Sequence, residues 1–368
     1  MKKKIPFVKY TSYGNNFVIV NEIEMPLFSE NEKSRFAHFA TNMSFGVGSD
    51  NFLVIQRCTE YVLEEITKDR GYWTETPEIN NADFVFRMFE PDGTEAFSCG
   101  NGLMCIASYL FRTYKIESAR IVTEIPGSTP KIVNIGTESM NRTSWANLGH
   151  PRKIPYSMFK PPISKSFDDE IHSLSDLEIS FRAHDLKPFS DKTVINLKAY
   201  LVFTGEPHLV VFPGQDGLLD AFKEVLFASS SHNNPSGKSF ERRANFGIWL
   251  VDQIGLSINR NYLTLFPAGM NVNFARRIEL NDADALEYRC FERGINRETL
   301  ACGTGAIAVS HISKRLNLIQ SQNTTALPYR CRLHDSNARI HVKEDESGYR
   351  IHGYPVMLFE GEVASGEI

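Results

Sequence analysis

The chain has 368 residues, which at about 150 per domain leaves room for two domains with a full hydrophobic core. Lys and Arg number 40 against 44 Asp and Glu, a formal net charge of −4, so no basic excess exists to neutralise a phosphate backbone, and nucleic acid is excluded as the main partner. Hydrophobic residues at 42% and charged residues at 23% are those of a folded globular protein, and no apolar run reaches the length of a membrane span.

In chain order, the start has a basic head, but Pro6, Lys9 and the polar run from Thr11 to Asn16 interrupt any signal-peptide core; the expected compartment is the cytoplasm. FLVIQ (52–56) predicts a strand before Cys58, and Phe84, Phe86 and Met88 alternate as a second one. Pro91-Asp92-Gly93 is a turn. The glycines after Cys99 then open a helix with Leu103, Met104, Ala107 and Leu110 on its buried face. ARIVTEI (119–125) is again extended, and 160–175 is polar and Pro/Ser-rich, as an insertion or loop would be. TVINLKAYLVF (193–203) predicts a strand, and 229–243 a second insertion or loop. Tyr288 and Cys290 alternate before the turn at Gly294-Ile295-Asn296, and Cys302 precedes a helix buried through Ala306, Val309 and Ile312. Two late strands, ARIHVKE (338–344) and PVMLFEGEV (355–363), close the chain. Short strands with turn signals and few helices argue for an α+β protein with antiparallel sheets.

One internal repeat stands out. FRMFEPDGTEAFSCGNGLMCIASYL (86–110) lies beside YRCFERGINRETLACGTGAIAVSHI (288–312), with Phe89-Glu90 on Phe291-Glu292, Glu95 on Glu298 and Cys99-Gly100-x-Gly102 on Cys302-Gly303-x-Gly305. Of the six cysteines, Cys58, Cys105, Cys290 and Cys331 read as small buried hydrophobes. No Cys-x-x-Cys pair occurs, so neither a zinc ribbon nor a thioredoxin-type motif fits, and no metal is expected.

Cys99 and Cys302 differ, because each stands at a helix N-terminus. Free N–H groups there stabilise a thiolate and lower a thiol pKa, so such a cysteine can act as a base. The flanking glycines leave backbone N–H groups open to a ligand carboxylate. Two such ends, one thiol to each face of an α-carbon, are the equipment of a two-base racemase, in which one thiolate removes the α-proton and the other thiol delivers one opposite. The N–H groups would stabilise the enediolate, and no pyridoxal phosphate or other cofactor is expected.

Six motifs in order carry a resemblance: Tyr13-Gly14-Asn15-Asn16-Phe17, Gly46-Val47-Gly48-Ser49-Asp50, Asp92-Gly93-Thr94-Glu95 with Cys99-Gly100-Asn101-Gly102, Gly205-Glu206-Pro207-His208, Asn271-Val272-Asn273-Phe274, and Glu292-Arg293-Gly294 with Ala301-Cys302-Gly303-Thr304-Gly305. Together they resemble the diaminopimelate epimerase family. The resemblance implies two pseudo-symmetric domains, each a small mixed β-barrel around a central helix. Their expected bounds are 1–120 plus 355–368, and 121–354 with insertions near 155–190 and 225–260. It implies Cys99 and Cys302 as the proton-transferring pair, assisted by His208 and Glu292. Gly100, Asn101, Gly303 and Thr304 would hold the reacting carboxylate, Asn15 and Asn271 would contact the substrate, and Arg293 would grip a distal carboxylate. The partner would be a small-molecule amino-acid substrate, with no nucleic acid or membrane expected; the oligomeric state stays open, a homodimer included.

Three positions that the resemblance puts among the substrate contacts depart from the family: Glu90 and Glu206, in the part of the pocket that reads the distal end, replace Asn, and Asn51 replaces Gln. A buried ionised glutamate must meet a cation or take up a proton. Either these two pair with Arg293 and leave diaminopimelate as the substrate, or they receive a cationic group, which points to lysine, ornithine, arginine or histidine. A non-catalytic amino-acid-binding relative stays open, as does nucleophilic cysteine catalysis with His208 or His311 as base.

Overall fold

The computed structural model describes residues 4–160, 165–166, 170–187, 189–214, 220–228, 238–280 and 283–364. It divides into two compact units, 1–149 with 343–368 and 150–342. The first runs β1 (Lys4–Ser12), β2 (Asn15–Glu22), α1 (Glu30–Thr41), β3 (Asn51–Arg57), α2 (Glu60–Arg70), β4 (Phe84–Phe89), α3 (Gly100–Tyr114), β5 (Ser118–Thr123), β6 (Lys131–Glu138) and β7 (Thr143–Gly149). The second continues through β8 (Lys165–Ser166), β9 (His172–Ser180), β10 (Val194–Phe203), β11 (Pro207–Val211), α4 (Asp220–Leu226), α5 (Lys238–Asn261), β12 (Asn271–Leu280), β13 (Ala283–Glu292), β14 (Arg297–Glu298), α6 (Gly303–Arg315), β15 (Asn323–Pro328) and α7 (Tyr329–Arg332). The chain crosses the divide within β16 (Ile340–Asp345) and ends in β17 (Gly348–Gly353) and β18 (Val356–Ala364).

One order of pairing recurs. β1 is antiparallel to β2, β2 parallel to β3, β3 antiparallel to β4 and β4 parallel to β5. In the second unit β10, β11, β12, β13 and β15 repeat the sequence antiparallel, parallel, antiparallel, parallel. The fold is therefore mixed α/β, and among the described residues the expected antiparallel sheets are broken by parallel pairs. Parallel neighbours need a crossover, which explains the helices: α1 links β2 to β3, α3 links β4 to β5, and α6 lies between β13 and β15. The crossover from β11 to β12 contains α4 and α5. Residues 238–243, expected as loop, thus open a long helix; 229–237 lie outside the described residues. Likewise 172–175 are not loop but the start of β9, paired with β10, while 161–164 and 167–169 lie outside.

The unit divide falls at 149/150 and 342/343, against the 120/121 and 354/355 expected from the sequence. The physical reason is strand pairing, since β6 continues from β5, β7 pairs with both β6 and β17, and all of them stay with the first unit.

Each unit buries one helix almost completely. From Gly100 to Ala107 every residue of α3 is buried, and so is every residue of α6 from Gly303 to Ser313. Strands β1, β2, β5, β6, β7 and β17 contact α3, and β10, β11, β12, β13 and β15 contact α6. Over these stretches the helices have no solvent face, which accounts for runs as apolar as LMCIA and AIAV. On the other side of β3, α1 starts at a Ser29/Glu32 capping box and packs Phe36 on Phe52 with ring centroids 4.9 Å apart. Among the described residues no helix is long and apolar enough to cross a membrane.

Candidate active site

Cys99 is the N-cap of α3 and Cys302 the N-cap of α6, both with extended backbones. Each sulfur accepts a hydrogen bond from the N–H three residues on, Gly102 or Gly305, at 3.4 Å in both cases. The thiol thus does what serine or aspartate does at an ordinary helix start. Gly100 and Asn101, and Gly303 and Thr304, form the buried first turns behind them. A Cβ on Gly305 would stand 2.7 Å from Asn273 Oδ1 and 3.4 Å from Cys302 Sγ, so only glycine lets β12 approach this turn.

Two buried ion pairs hold the loops that deliver the cysteines. Arg289 on β13 donates from Nε and Nη2 to Glu298 at 2.6 Å each, both side chains 0% exposed. Arg87 on β4 grips Glu95 through the same two nitrogens and also pairs with Glu30 on α1. Each glutamate follows the repeated strand and precedes its cysteine by a few residues, so the fork fixes the approach to the helix. The repeat aligns the two glutamates but gives them no role by itself; an arginine in the same place of both apolar strands, Arg87 and Arg289, is the signal.

The second unit gathers most of the candidates. His208 on β11 is fully buried and lies opposite Asn271 of β12. Asn273 Nδ2 donates to the Leu209 carbonyl at 3.2 Å and reaches His208 Nδ1 at 3.0 Å. A carbonyl only accepts, so the amide nitrogen faces the ring, Nδ1 is an acceptor, and the neutral ring carries its proton on Nε2. Nε2 then donates to Thr304 Oγ1 at 2.9 Å, and the Thr304 hydroxyl is left to donate to Cys302 Sγ at 3.3 Å. Burial, and after it the charge of Arg293, pushes the His208 pKa down to about 3, so the neutral ring is the resident form.

Cys302 has a further neighbour. Cys290, expected as core packing, is buried but lies against Cys302, and its thiol hydrogen bond is the largest influence holding the Cys302 pKa below its ordinary value. The Thr304 hydroxyl and the Gly305 N–H add to it against burial, while burial drives the Cys290 thiol well up. Glu292 accepts from the Thr299 hydroxyl and comes within 4.8 Å of both sulfurs. Cys105 and Cys331 are buried as expected, and Cys58 is half-buried.

Arg293 donates from Nε and Nη2 to Glu206 Oε2 at 3.0 and 2.6 Å and from Nη1 to the Ala268 carbonyl at 2.7 Å. Its N–H donates to Asn271 Oδ1 at 3.0 Å, so Glu206, Asn271 and Arg293 form one cluster. In the first unit Asn51 donates to Glu90 Oε2 at 2.9 Å, and Asn15 opens β2 after a tight turn in which Gly14 has φ +87°. His311, the alternative base, sits within α6 and faces Glu170 at 3.6 Å.

Residues 7–142 match the model of the diaminopimelate epimerase family. The chain is 28% identical over 320 residues to the diaminopimelate epimerase of Archaeoglobus fulgidus, covering 87% of this chain and 85% of that one. It is 23% identical to that of Methanococcus aeolicus over 97% of this chain and 98% of the other. A solved hydroxyproline epimerase from Agrobacterium vitis superposes with a TM-score of 0.56 over 99% of this chain and 94% of that one at 13% identity, a likeness of fold.

Proposed function

We propose that this isomerase, a relative of the diaminopimelate epimerases, inverts the α-carbon of an amino acid by two-base proton transfer, with Cys99 and Cys302 as the thiol pair and no cofactor. The observation that carries the proposal is the matched capping of α3 and α6 by cysteine, each sulfur bonded to the third N–H of its helix. The units are read as pseudo-symmetric halves of a duplicated barrel, and the paired N–H groups beyond Gly100, Asn101, Gly303 and Thr304 as the cradle of the reacting carboxylate.

In this reading Cys302 is the thiolate. Its charge is met by the Gly305 N–H, the Thr304 hydroxyl and the Cys290 thiol. When it takes the α-proton, the Thr304–His208–Asn273 chain adjusts without net proton loss, because the His208 ring is already neutral. Glu292 lies near enough to assist the same sulfur. Cys99 supplies the second proton in one direction and is the base in the other. Asn15, Asn51 and Asn271 are read as substrate contacts.

LL-diaminopimelate, turned to the meso form, is the first choice of substrate. A more cationic amino acid is the second: the Glu206–Arg293 pair is the arrangement that leaves diaminopimelate as the substrate, while Glu90, which accepts from Asn51, is an acidic group to which a cationic substrate would be drawn. Racemisation assays in deuterium oxide with LL-diaminopimelate beside lysine, ornithine, arginine and histidine decide between them. Deuterium entering Cα of diaminopimelate is the expected result; no turnover of it with turnover of lysine overturns the first choice, and tight binding without α-exchange of any of them overturns the enzyme reading.

A further inference from the structure

Cys290 was expected to be inert packing, yet the structure sets its sulfur in a cluster with the Cys302 sulfur and a Glu292 carboxylate oxygen, all within 4.8 Å of one another. Among the described residues it is the only set of three or more Cys, His, Asp or Glu side chains so close together. We propose that Cys290, Glu292 and Cys302 form a site for a thiophilic divalent cation of the zinc or cadmium class, whose occupancy withholds Cys302 from proton transfer.

The geometry supplies a ligand face. Residues two apart on a strand point to the same side, so β13 presents Cys290 and Glu292 together. The N-cap turn of α6 brings Cys302 to them, and that turn is held in place by the Tyr288 hydroxyl on the Cys302 carbonyl at 2.9 Å and the Thr204 hydroxyl on the Thr304 carbonyl at 2.9 Å. The Thr299 hydroxyl orients the Glu292 carboxylate, as an outer partner orients a metal ligand. Two sulfurs and one oxygen are a ligand set that zinc accepts in tetrahedral sites, the fourth position remaining for water. Binding takes up the cation with two thiolates and a carboxylate, and any proton still on either thiol leaves to solvent; no electron moves. Affinity therefore rises with pH. A Cys302 lone pair committed to the cation cannot accept an α-proton.

The first unit offers an internal comparison. Met88 stands in the repeat where Cys290 stands, so the first copy carries there a thioether that cannot ionise. The site thus belongs to one half of the repeat.

The test uses the full chain in a phosphine reductant, titrated with cadmium chloride and read by the ultraviolet thiolate-to-cadmium absorption, with zinc chloride as competitor. One equivalent is expected to saturate the wild type and Cys99→Ser alike, while Cys290→Val and Cys290→Ser bind about tenfold or more weakly. X-ray absorption on the cadmium-loaded wild type should show two sulfur neighbours, a measurement that needs no variant to fold. Unchanged affinity in both Cys290 variants, loss of the band in Cys99→Ser, or fewer than two sulfurs each overturns the site. The inhibitory half rests on the proposed function: racemisation should fall with the same equivalent and return with a chelator. A chain that turns over no amino acid would sink that function, while the cadmium titration would still decide the site.

Discussion

Asn273 holds the ring of His208 from behind: its amide nitrogen, anchored on the Leu209 carbonyl, reaches Nδ1 at 3.0 Å and so decides which ring nitrogen carries the proton. Replacing the amide by the isosteric carboxylate, Asn273→Asp, offers Nδ1 an acceptor instead of a donor and should move the proton there. Nitrogen-15 spectra of the imidazole are expected to report the Nε2–H tautomer in the wild type and its loss in the variant. With the donor to Thr304 gone, kcat should fall by about tenfold to a hundredfold with a smaller change in KM. A variant whose ring stays in the Nε2–H form would remove Asn273 from this role.

Cys99 and Cys302 share one kind of helix cap, and if both move protons neither can be spared. Cys99→Ser and Cys302→Ser should each lower racemisation by about a thousandfold, since a hydroxyl is a far weaker base at neutral pH. Melting temperatures should stay near that of the wild type, because serine caps a helix as well as cysteine does. Full racemisation by either variant would rule out a two-thiol mechanism.

The repeat, the two caps and the strands around them were legible because each leaves a periodic or local mark: alternation in Phe84, Phe86 and Met88, and glycines after each cysteine. The helix at 238–261 was obscured at its start by a polar run whose composition resembles a loop, although its place as a crossover between parallel strands is dictated by topology that no local pattern records. Cys290 reads as a buried residue and is one, but its closeness to Cys302 was hidden for a related reason. Its alternation in YRCFE gives the face of the strand but not that the N-cap turn of α6 lies on that face. Glu206 and Arg293 are 87 residues apart; the sequence left their pairing as one of two alternatives, and the folded chain brings them together.

The Arg289–Glu298 pair is expected to behave asymmetrically under mutation. Both side chains are fully buried, and burial pushes the Glu298 pKa up even beside Arg289, so attraction does not fully offset desolvation. Glu298→Gln alone strands a buried guanidinium and should cost about 3–5 kcal/mol in urea unfolding. The double change Arg289→Met with Glu298→Gln should recover a large part of that loss. A double variant no more stable than Glu298→Gln alone would mean that the loss comes from the pair itself and not from the stranded guanidinium.

His208 ties stability to pH with a sign that follows from its burial. Its folded pKa is about 3 against an ordinary 6.5, so the unfolded chain binds the proton that the folded chain refuses. Its contribution is complete above the unfolded value and is lost as pH falls from 6.5 toward 3. From pH 7.5 to 5.5 the wild type should lose about 1.4 kcal/mol more unfolding free energy than His208→Asn, since groups common to both cancel in the difference. Asparagine keeps a polar partner for Thr304 but does not titrate in this range, so the variant isolates the ring's proton from its packing. Parallel losses in the two proteins would mean that the buried ring takes its proton at an ordinary pH, and the neutral Nε2–H donor to Thr304 would have to be abandoned.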